Sequence, residues 1–407
     1  MSISQEAKKA FKIGSVCFLS YLAVYVARNT LSAVSPQMIA SGAFTKESVG
    51  TLSSLFFITY AIGQLINGAI GDKIKAKYMM SCGLVLAGIG SALFPVLANY
   101  PLAVYGAYGL TGFALSMIYG PMTKVVSENT ELVYATRCSL GYTFASFIGS
   151  PFAGILAALF VWQGVFAAGS GILIMMGTVC FLVFTLFERK KIIEYGKYQK
   201  PKAKGNVGGI KVLIRHQIVK FTLISILTGV VRTTVVFWLP TYVSEYLGFS
   251  PDRSALIFTV ATFVISFAAF VAIFVYERLH RNMDLVILLA FSISAVCFVA
   301  VYLLKQPVLN VFFIVLAIMA SNSAATMLWS RYCPSLRDTG MVSGATGFLD
   351  FVSYMAAAAS SKLFANAVSF IGWGNLILIW FGLMVLGVVV ALPYRKFLGK
   401  NETCPKQ

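Results

Sequence analysis

The sequence has few charged residues, and this scarcity argues against a soluble protein. Charged side chains make up 11% of the 407 residues, whereas a soluble globular domain carries about 25%. Apolar residues reach 58%, and the mean hydropathy is +0.83. Aromatic residues reach 14%, which suits a chain whose Trp and Tyr side chains lie at membrane interfaces. The composition therefore predicts a membrane protein.

Residues that bind metals or carry redox chemistry are also scarce. The chain has two histidines, and its seven cysteines are scattered without a CxxC pair. Zinc sites draw on clustered Cys and His ligands, and redox motifs draw on paired cysteines, so neither is expected. We predict no cofactor, no metal and no catalytic residue, and hence a protein that is not an enzyme.

The N-terminal segment lacks the features of a cleavable signal peptide. Residues 1–12 are polar and basic, and they lead directly into an apolar stretch of full spanning length. A signal peptide would instead show a short apolar core followed by an A-x-A cleavage site. We therefore expect the first helix to remain in the protein.

Apolar runs of spanning length dominate the sequence. A transmembrane helix needs about 20 mostly apolar residues. The sequence thus predicts an all-helical membrane protein with about twelve spans. The runs lie at approximately 14–38, 49–71, 78–98, 101–123, 138–160, 164–187, 216–241, 253–276, 284–304, 307–329, 341–365 and 371–394.

One long polar segment divides the chain into two halves. Residues 188–215 are rich in Lys and Arg and contain Pro201, Gly205, Gly208 and Gly209. This composition is typical of a flexible linker. We predict six-helix bundles over 1–187 and 216–407, joined by a basic cytoplasmic linker over 188–215.

The distribution of Lys and Arg predicts the orientation of the chain. With the N-terminus in the cytoplasm, cytoplasmic segments hold about 26 of the 32 basic residues. The outer loops then hold Lys46, Arg253 and Lys305. We therefore expect an inner-membrane protein with both termini in the cytoplasm. Contact of the inner loops with anionic lipid explains the net charge of +18, because a nucleic-acid surface would need one contiguous basic face.

Corresponding residues recur in the two halves at an almost constant offset. Arg28 precedes a proline by eight residues, and Arg232 does the same in the second half. Thr45 and Ser250, which are predicted helix N-caps, follow at nearly the same offset. Such a series indicates two structural repeats. In transporters built this way the substrate lies between the halves, so we expect Arg28 and Arg232 to face one central cavity.

Arg28, Arg232 and Asp350 lie well inside predicted spans. An Arg there costs about 2.5–3.5 kcal/mol and normally faces protein or water. Two guanidiniums suit planar, multidentate binding of a phosphate or a carboxylate. Asp350 is the only acid well inside an apolar run, and four roles stay open for it. It can pair with Arg232, bind a substrate cation, carry a proton, or serve only in packing.

Neighbouring polar side chains complete the predicted binding site. Tyr25 lies one turn before Arg28, and Tyr60 and Gln64 share a face of the second helix. These side chains can form hydrogen bonds with a polar substrate, although packing is the other interpretation for both tyrosines. The predicted substrate-binding residues are Arg28, Arg232, Tyr25, Tyr60, Gln64 and Asp350.

The segment after the second predicted helix has an acid followed by spaced cations. Gly68, Asp72, Lys73 and Lys77 fit the pattern G-x-x-x-D-R-x-x-x-R/K, with Lys in place of the first Arg. This pattern resembles the loop between the second and third helices of the major facilitator superfamily. An acid at a helix end can bind a neighbouring helix and stabilise one conformation. We predict that Asp72, Lys73 and Lys77 form a conformational latch at the cytoplasmic surface.

Several motifs along the chain are similar to those of one transporter family. They are Tyr21-x3-Tyr25-x2-Arg28, Val231-Arg232, Trp238-Leu-Pro240-Thr-Tyr242, Gly120-Pro121 and residues 340–347. With them the chain resembles the organophosphate:phosphate antiporter family, which includes glycerol-3-phosphate and hexose-phosphate transporters. The resemblance implies a major facilitator fold and a phosphoryl group held by Arg28 and Arg232.

Three positions depart from the pattern of that family. Familiar members carry Lys after the first Arg, a basic residue on helix two and His on helix five, where this chain has Asn29, Gln64 and Ser146. The expected cavity is therefore less positive than in those members, and Asp350 lowers its charge further. A zwitterionic organophosphate or another organic anion becomes a candidate beside a doubly charged sugar phosphate.

Together these observations predict a secondary active transporter that works by alternating access. Its foremost expected substrate is an organophosphate exchanged for inorganic phosphate. Two alternatives stay open: a proton-coupled symporter of a carboxylate or other polar solute, with Asp350 as the protonatable group, and a sugar-phosphate sensor that does not transport. The expected partners are a small anion, phosphate as counter-substrate and the lipid bilayer, with no nucleic acid, and we expect a monomer.

Overall fold

The computed structural model is built almost entirely of helices and describes residues 4–71, 74–195, 213–214, 216–336 and 342–392. Within these ranges ten helical stretches are long and apolar enough to cross a membrane. One of them, Ala345–Ala391, divides at Gly372, where φ is 74°, and so supplies two passes. Leu132–Leu159 is a further long helix. The described residues thus form twelve helical spans, and the predicted fold class is confirmed.

We call the first six spans the first half, and several of their predicted ends differ from the structure. The first span starts well before residue 14 because its early turns are polar and carry no hydropathy signal. The helix of the fourth span is interrupted before Pro121. Pro121 therefore lies in the first turn of the second segment, where a backbone N–H has no helical acceptor and its absence costs nothing. The spans are Gln5–Ala40, Lys46–Gly71, Ala76–Val96, Pro101–Leu115 continued by Tyr119–Asn129, Leu132–Leu159 and Trp162–Arg189.

The last six spans form the second half, and π-helical turns widen two of them. The seventh is Ile218–Gly229, continued through the π-helical turn Val230–Val235 to Val236–Glu245. The others are Pro251–Ser266 with Ala268–Arg278, Met283–Leu303, Pro307–Met327 continued by Leu328–Tyr332, and Val342–Ala391, which forms the eleventh and twelfth spans.

Side-chain caps begin two corresponding spans of the halves. The Ser48 backbone N–H donates to the Thr45 hydroxyl at 3.2 Å, and the Arg253 N–H donates to the Ser250 hydroxyl at 3.4 Å. Each bond satisfies a backbone donor that the first helical turn leaves open. Pro251 is the first helical residue, where its missing N–H costs nothing. Both predicted N-caps are confirmed.

The halves approach each other closely at one end of the bundle. The first, second and fifth spans pack against the seventh, eleventh and eighth, respectively. A Cβ added at Gly50 would lie 2.5 Å from the Ala365 Cβ, and one at Gly154 would lie 2.2 Å from the Thr259 hydroxyl. These glycines let helices of different halves meet. We name this end, which carries residues 41–45 and 246–250, the closed end, and the opposite end the terminal end.

Polar contacts between the halves follow the same division. Every hydrogen bond or ion pair that joins described residues of different halves lies toward the closed end or at the level of Arg28. The closed end is therefore sealed by polar bonds as well as by packing. They include the hydrogen bond from Ser32 to the Phe237 carbonyl at 2.7 Å, that between Ser35 and Thr241 at 2.7 Å, the ion pair of Lys46 with Glu245 at 2.7 Å, and the hydrogen bond from Ser369 to Glu47.

Candidate functional site

Arg28 lies in the interior of the first span, inside a box of aromatic rings. Its guanidinium carbon is 4.9 Å from the ring centre of Tyr354, 5.4 Å from Tyr60, 5.6 Å from Tyr25 and 5.7 Å from Phe57. One guanidinium nitrogen donates a hydrogen bond to the Tyr354 hydroxyl at 2.8 Å. Cation–π contacts stabilise a desolvated cation without cancelling its charge. The box therefore holds a positive charge in a fixed position.

Four spans position this box. Tyr25 precedes Arg28 by almost one turn, and Phe57 and Tyr60 share a face of the second span. Tyr354 comes from the eleventh span, in the other half. The fifth span lies against the back of the box, since a Cβ added at Gly149 would be 2.4 Å from the Tyr25 Cβ. The box is therefore an interface between the halves, and it changes whenever they move apart.

Arg232 lies in the π-helical turn Val230–Val235 of the seventh span. Such turns are rare and often occur at functional sites. Arg232 is partly exposed, and among the described residues its side chain makes no hydrogen bond or ion pair. It nevertheless interacts electrostatically with Asp350 and Tyr354, as Arg28 does. The positive charges of Arg28 and Arg232 therefore both influence Asp350 and Tyr354.

Asp350 and Tyr354 lie one turn apart on the eleventh span and share a face. Asp350 is partly exposed. Within the described ranges, no Lys or Arg nitrogen lies within 4.0 Å of the Asp350 carboxylate, which is the limit for an ion pair. Arg232 and, more weakly, Arg28 interact with it over a longer distance. The carboxylate is therefore shared between the two guanidiniums and paired closely with neither.

An exposed aromatic ring borders the same region. Tyr119, in the fourth span, is 47% exposed, yet its ring centre lies 5.6 Å from that of Tyr21. The Tyr21 ring in turn lies 5.1 Å from that of Tyr25, at the side of the box. We infer that the exposed part of its ring faces a gap between the halves. Because the bonds between the halves lie toward the closed end, such a gap opens toward the terminal end.

The remaining predicted residues have varied outcomes. Gln64, on the second span one turn beyond the box, is partly exposed. Asp72 and Lys73 lie outside the described residues, as do the side chain of Ser146 and most of the predicted linker. The latch predicted for Asp72 and Lys73 therefore stays a prediction.

Lys77, the third residue of the predicted latch, binds within its own half. Its ammonium group and that of Lys75 both contact Glu188 at the end of the sixth span, with the Lys75 distance at 2.5 Å. Lys77 is 6% exposed and Lys75 is largely exposed. These bonds tie the third span to the sixth and do not cross between the halves.

Sequence reasoning missed three residues of the site. Tyr354 follows Asp350 by four residues and Phe57 precedes Tyr60 by three, so same-face spacing contained a signal for both. Tyr119 has no such neighbour, although it directly precedes the Gly120-Pro121 motif. Its place near the box depends on how the fourth span packs against the first.

Comparisons with known proteins bear on this site. The family model described as Major Facilitator Superfamily matches residues 17–361. The membrane sensor protein UhpC of Salmonella typhimurium is 35% identical over 77 residues, which are 19% of this chain and 17% of that protein. A probable hexose phosphate transport protein of Chlamydia trachomatis is 24% identical over 166 residues, 40% of this chain and 36% of that protein. The chain thus aligns with less than half the length of these curated relatives.

One solved structure shares the fold over nearly the whole chain. It is a bacterial homologue of the human lysosomal transporter Spinster, in an inward-facing and unoccupied conformation. The TM-score is 0.74 at 13% sequence identity, and the match covers 96% of this chain and 95% of that chain. At this identity the likeness concerns the fold alone.

Proposed function

This chain belongs to the major facilitator superfamily, and we propose that within it the protein is a secondary active transporter of a small organic anion. The foremost substrate class is an organophosphate, exchanged for inorganic phosphate across the inner membrane. The proposal places both termini in the cytoplasm, so that the terminal end faces the cytoplasm.

The observation that carries the proposal is the presence of two arginines and one carboxylate in the same interior region. Arg28 and Arg232 both act on Asp350, which leaves an excess of positive charge when the carboxylate is ionised. Uncompensated charge in a protein interior costs free energy, and an entering anion relieves that cost. A phosphoryl group offers several acceptor oxygens, which suit the planar forks of two guanidiniums.

The contacts between the halves support a route for the anion. The sealed closed end and the opening toward the terminal end describe one state of an alternating-access cycle. Rocking of the halves would break the Lys46–Glu245 ion pair and the Arg28–Tyr354 hydrogen bond. Because Arg28 belongs to one half and Tyr354 to the other, a bound anion at Arg28 can influence this movement directly.

The names of the relatives support the substrate class and also supply a second candidate function. One relative is a probable hexose phosphate transport protein, which agrees with phosphate ester transport. Another is a membrane sensor protein, which favours a receptor that binds the same ligand class without moving it. A proton-coupled symporter is the third possibility, with Asp350 as the proton carrier.

Counterflow in proteoliposomes tests the proposal. Vesicles that contain the full chain and are loaded with inorganic phosphate should take up labelled phosphate or glycerol 3-phosphate, whereas unloaded vesicles should not. Arg28→Lys and Arg232→Lys should each weaken binding about tenfold or more, because a point charge cannot reproduce the guanidinium fork. Arg331→Lys, at an exposed arginine near the terminal end, is the matched control.

Other outcomes of this experiment point to other functions. Uptake that needs a proton gradient and no internal phosphate would support the symporter. Binding without uptake would support the sensor. Near-normal uptake after Arg→Ala at both positions would contradict an anion carrier.

A further inference from the structure

We infer that the substrate is a zwitterion, with a phosphate-type anion and an organic ammonium group on one small molecule. The anion lies between Arg28 and Arg232, and the ammonium group lies between Asp350 and Tyr119. This inference rests on the proposed function, because it assigns the charge of the substrate of that same site.

The balance of charge in the site is the first argument. Arg28, Arg232 and Asp350 are charged groups that act on Tyr354, at the centre of the site, and Arg28 donates a hydrogen bond to its hydroxyl. Two guanidiniums and one carboxylate leave one positive charge. A phosphate monoester carries about 1.5–2 negative charges near neutral pH. An ammonium group on the ester reduces its net charge to about one negative charge, which matches the site.

The immobility of Arg28 is the second argument. Four rings surround its guanidinium, and the hydrogen bond to Tyr354 at 2.8 Å fixes its direction. Arg28 is therefore not placed to pair closely with Asp350. In the part of the chain that the structure describes, no other cation forms an ion pair with Asp350 either. The carboxylate thus keeps room for a cation brought by the substrate, and such a cation favours its ionised form.

The position of Tyr119 is the third argument. Its ring is 47% exposed, and its centre lies 5.6 Å from that of Tyr21, whose ring lies 5.1 Å from Tyr25 of the box. The rings around Arg28 are already occupied by that cation, whereas the Tyr119 ring is not. An aromatic ring and a carboxylate that border the same site can recognise an organic ammonium group through cation–π and charge interactions together. Tyr119 and Asp350 therefore form a cation corner beside the anion site.

A comparison of two phosphate esters tests the inference. O-phosphoethanolamine and glycerol 3-phosphate share the phosphate group but differ in the ammonium group. Binding and competitive uptake are measured with the purified full chain in proteoliposomes. The wild type should prefer O-phosphoethanolamine about tenfold or more, the factor typical of one charge-assisted hydrogen bond. Asp350→Asn should abolish this preference, so that the two esters bind about equally.

Two sets of variants separate recognition from structural damage. Asp284→Asn makes the same acid-to-amide change at an ion pair with Lys220, away from the site, and should keep the preference. Tyr119→Leu should lower the preference several-fold, whereas Tyr119→Phe, which retains the ring, should preserve it. The wild-type comparison and the Tyr119 variants decide the matter even if Asp350→Asn does not fold.

The failures of the two proposals look different. Equal binding of both esters by the wild type, or an unchanged preference in folded Asp350→Asn, overturns the zwitterion and leaves the organophosphate transporter in place. Binding of neither ester by folded wild-type protein contradicts the proposed function, and the zwitterion is then overturned with it.

Discussion

The two ends of the bundle are held together by different kinds of contact. At the closed end the bonds cross between the halves, as in the ion pair of Lys46 with Glu245 at 2.7 Å. At the terminal end the described ion pairs stay within a half, as in those of Lys77 with Glu188 and Lys220 with Asp284. A rocking transporter breaks only the first kind when it changes state. The contacts at the closed end therefore determine the balance between conformations, whereas those at the terminal end determine the stability of each half.

The closed-end contacts form a connected group. The Trp373 indole N–H donates to the Glu245 carboxylate at 2.9 Å, and the Lys46 ammonium group lies 5.8 Å from the Trp373 ring centre. Glu47, next in sequence, accepts a hydrogen bond from Ser369. These three contacts join the start of the second span or the end of the seventh span to the residues where the eleventh span meets the twelfth. Opening this end disrupts several of them together.

A cross-link through the closed end should have the largest effect. The Ser53 and Ser361 hydroxyl oxygens are 3.1 Å apart and belong to different halves. We expect Ser53→Cys/Ser361→Cys to form a disulfide under oxidation and to lose nearly all transport, because the halves can no longer separate. Reductant should restore uptake in the proteoliposome assay.

The matched control is a cross-link within one half. Thr234 and Ser360 are 2.8 Å apart, and both belong to the second half. Oxidised Thr234→Cys/Ser360→Cys should keep most of its uptake. Normal uptake by a fully cross-linked Ser53→Cys/Ser361→Cys protein would show that these helices do not separate during transport.

Loss of the closed-end ion pair should have a smaller effect. Glu245→Gln leaves Lys46, whose side chain is 19% exposed, without its counter-charge in the sealed state. We expect a shift of about 1 kcal/mol toward opening, or about fivefold in population. The measurement is the rate at which a membrane-impermeant maleimide labels Ser53→Cys in the Glu245→Gln background. Asp252→Asn, at an exposed acid of the same end, should leave the rate unchanged.

Sequence reasoning predicted the number of spans better than their ends. Spanning length is a property of consecutive residues, so hydropathy found all twelve passes. The early turns of the first span are polar, and the structure begins this helix at Gln5. Capping residues Thr45 and Ser250 were predictable for the same reason, since an N-cap acts on residues close in sequence.

The site was predictable only in part, because its surroundings depend on packing between distant spans. The constant offset between the halves identified Arg28 and Arg232 as corresponding positions. It gave no sign that Arg28 lies among rings from three spans, or that Arg232 lies in a π-helical turn. The partner of Lys77 was equally hidden, since Glu188 is 111 residues away in sequence.

A change at the terminal end should alter stability and leave the conformational balance unchanged. Lys77 is nearly buried and binds Glu188. We expect Lys77→Gln to cost about 1.5–3 kcal/mol, the usual range for a charged hydrogen bond, and to lower the melting temperature by a few degrees. Maleimide labelling of Ser53→Cys should stay at the wild-type rate. Faster or slower labelling would instead support the latch role predicted for Lys77.

The smallest effect is expected at Lys75, which binds the same Glu188 carboxylate from an exposed position, with 47% of its side chain accessible. Lys75→Gln should change the melting temperature less than Lys77→Gln does, because exposed ion pairs contribute little.

The hydrogen bond to Glu188 raises the pKa of Lys75 above 10.5. A raised lysine pKa gives a contribution that is complete below the unfolded-state pKa and is lost as pH rises through the folded-state value. Lys75 is thus charged in both states from about pH 6 to about pH 9, and the difference in melting temperature between wild type and Lys75→Gln should stay constant over that range. A difference that grows or shrinks between these pH values would mean that another titrating group is linked to this contact.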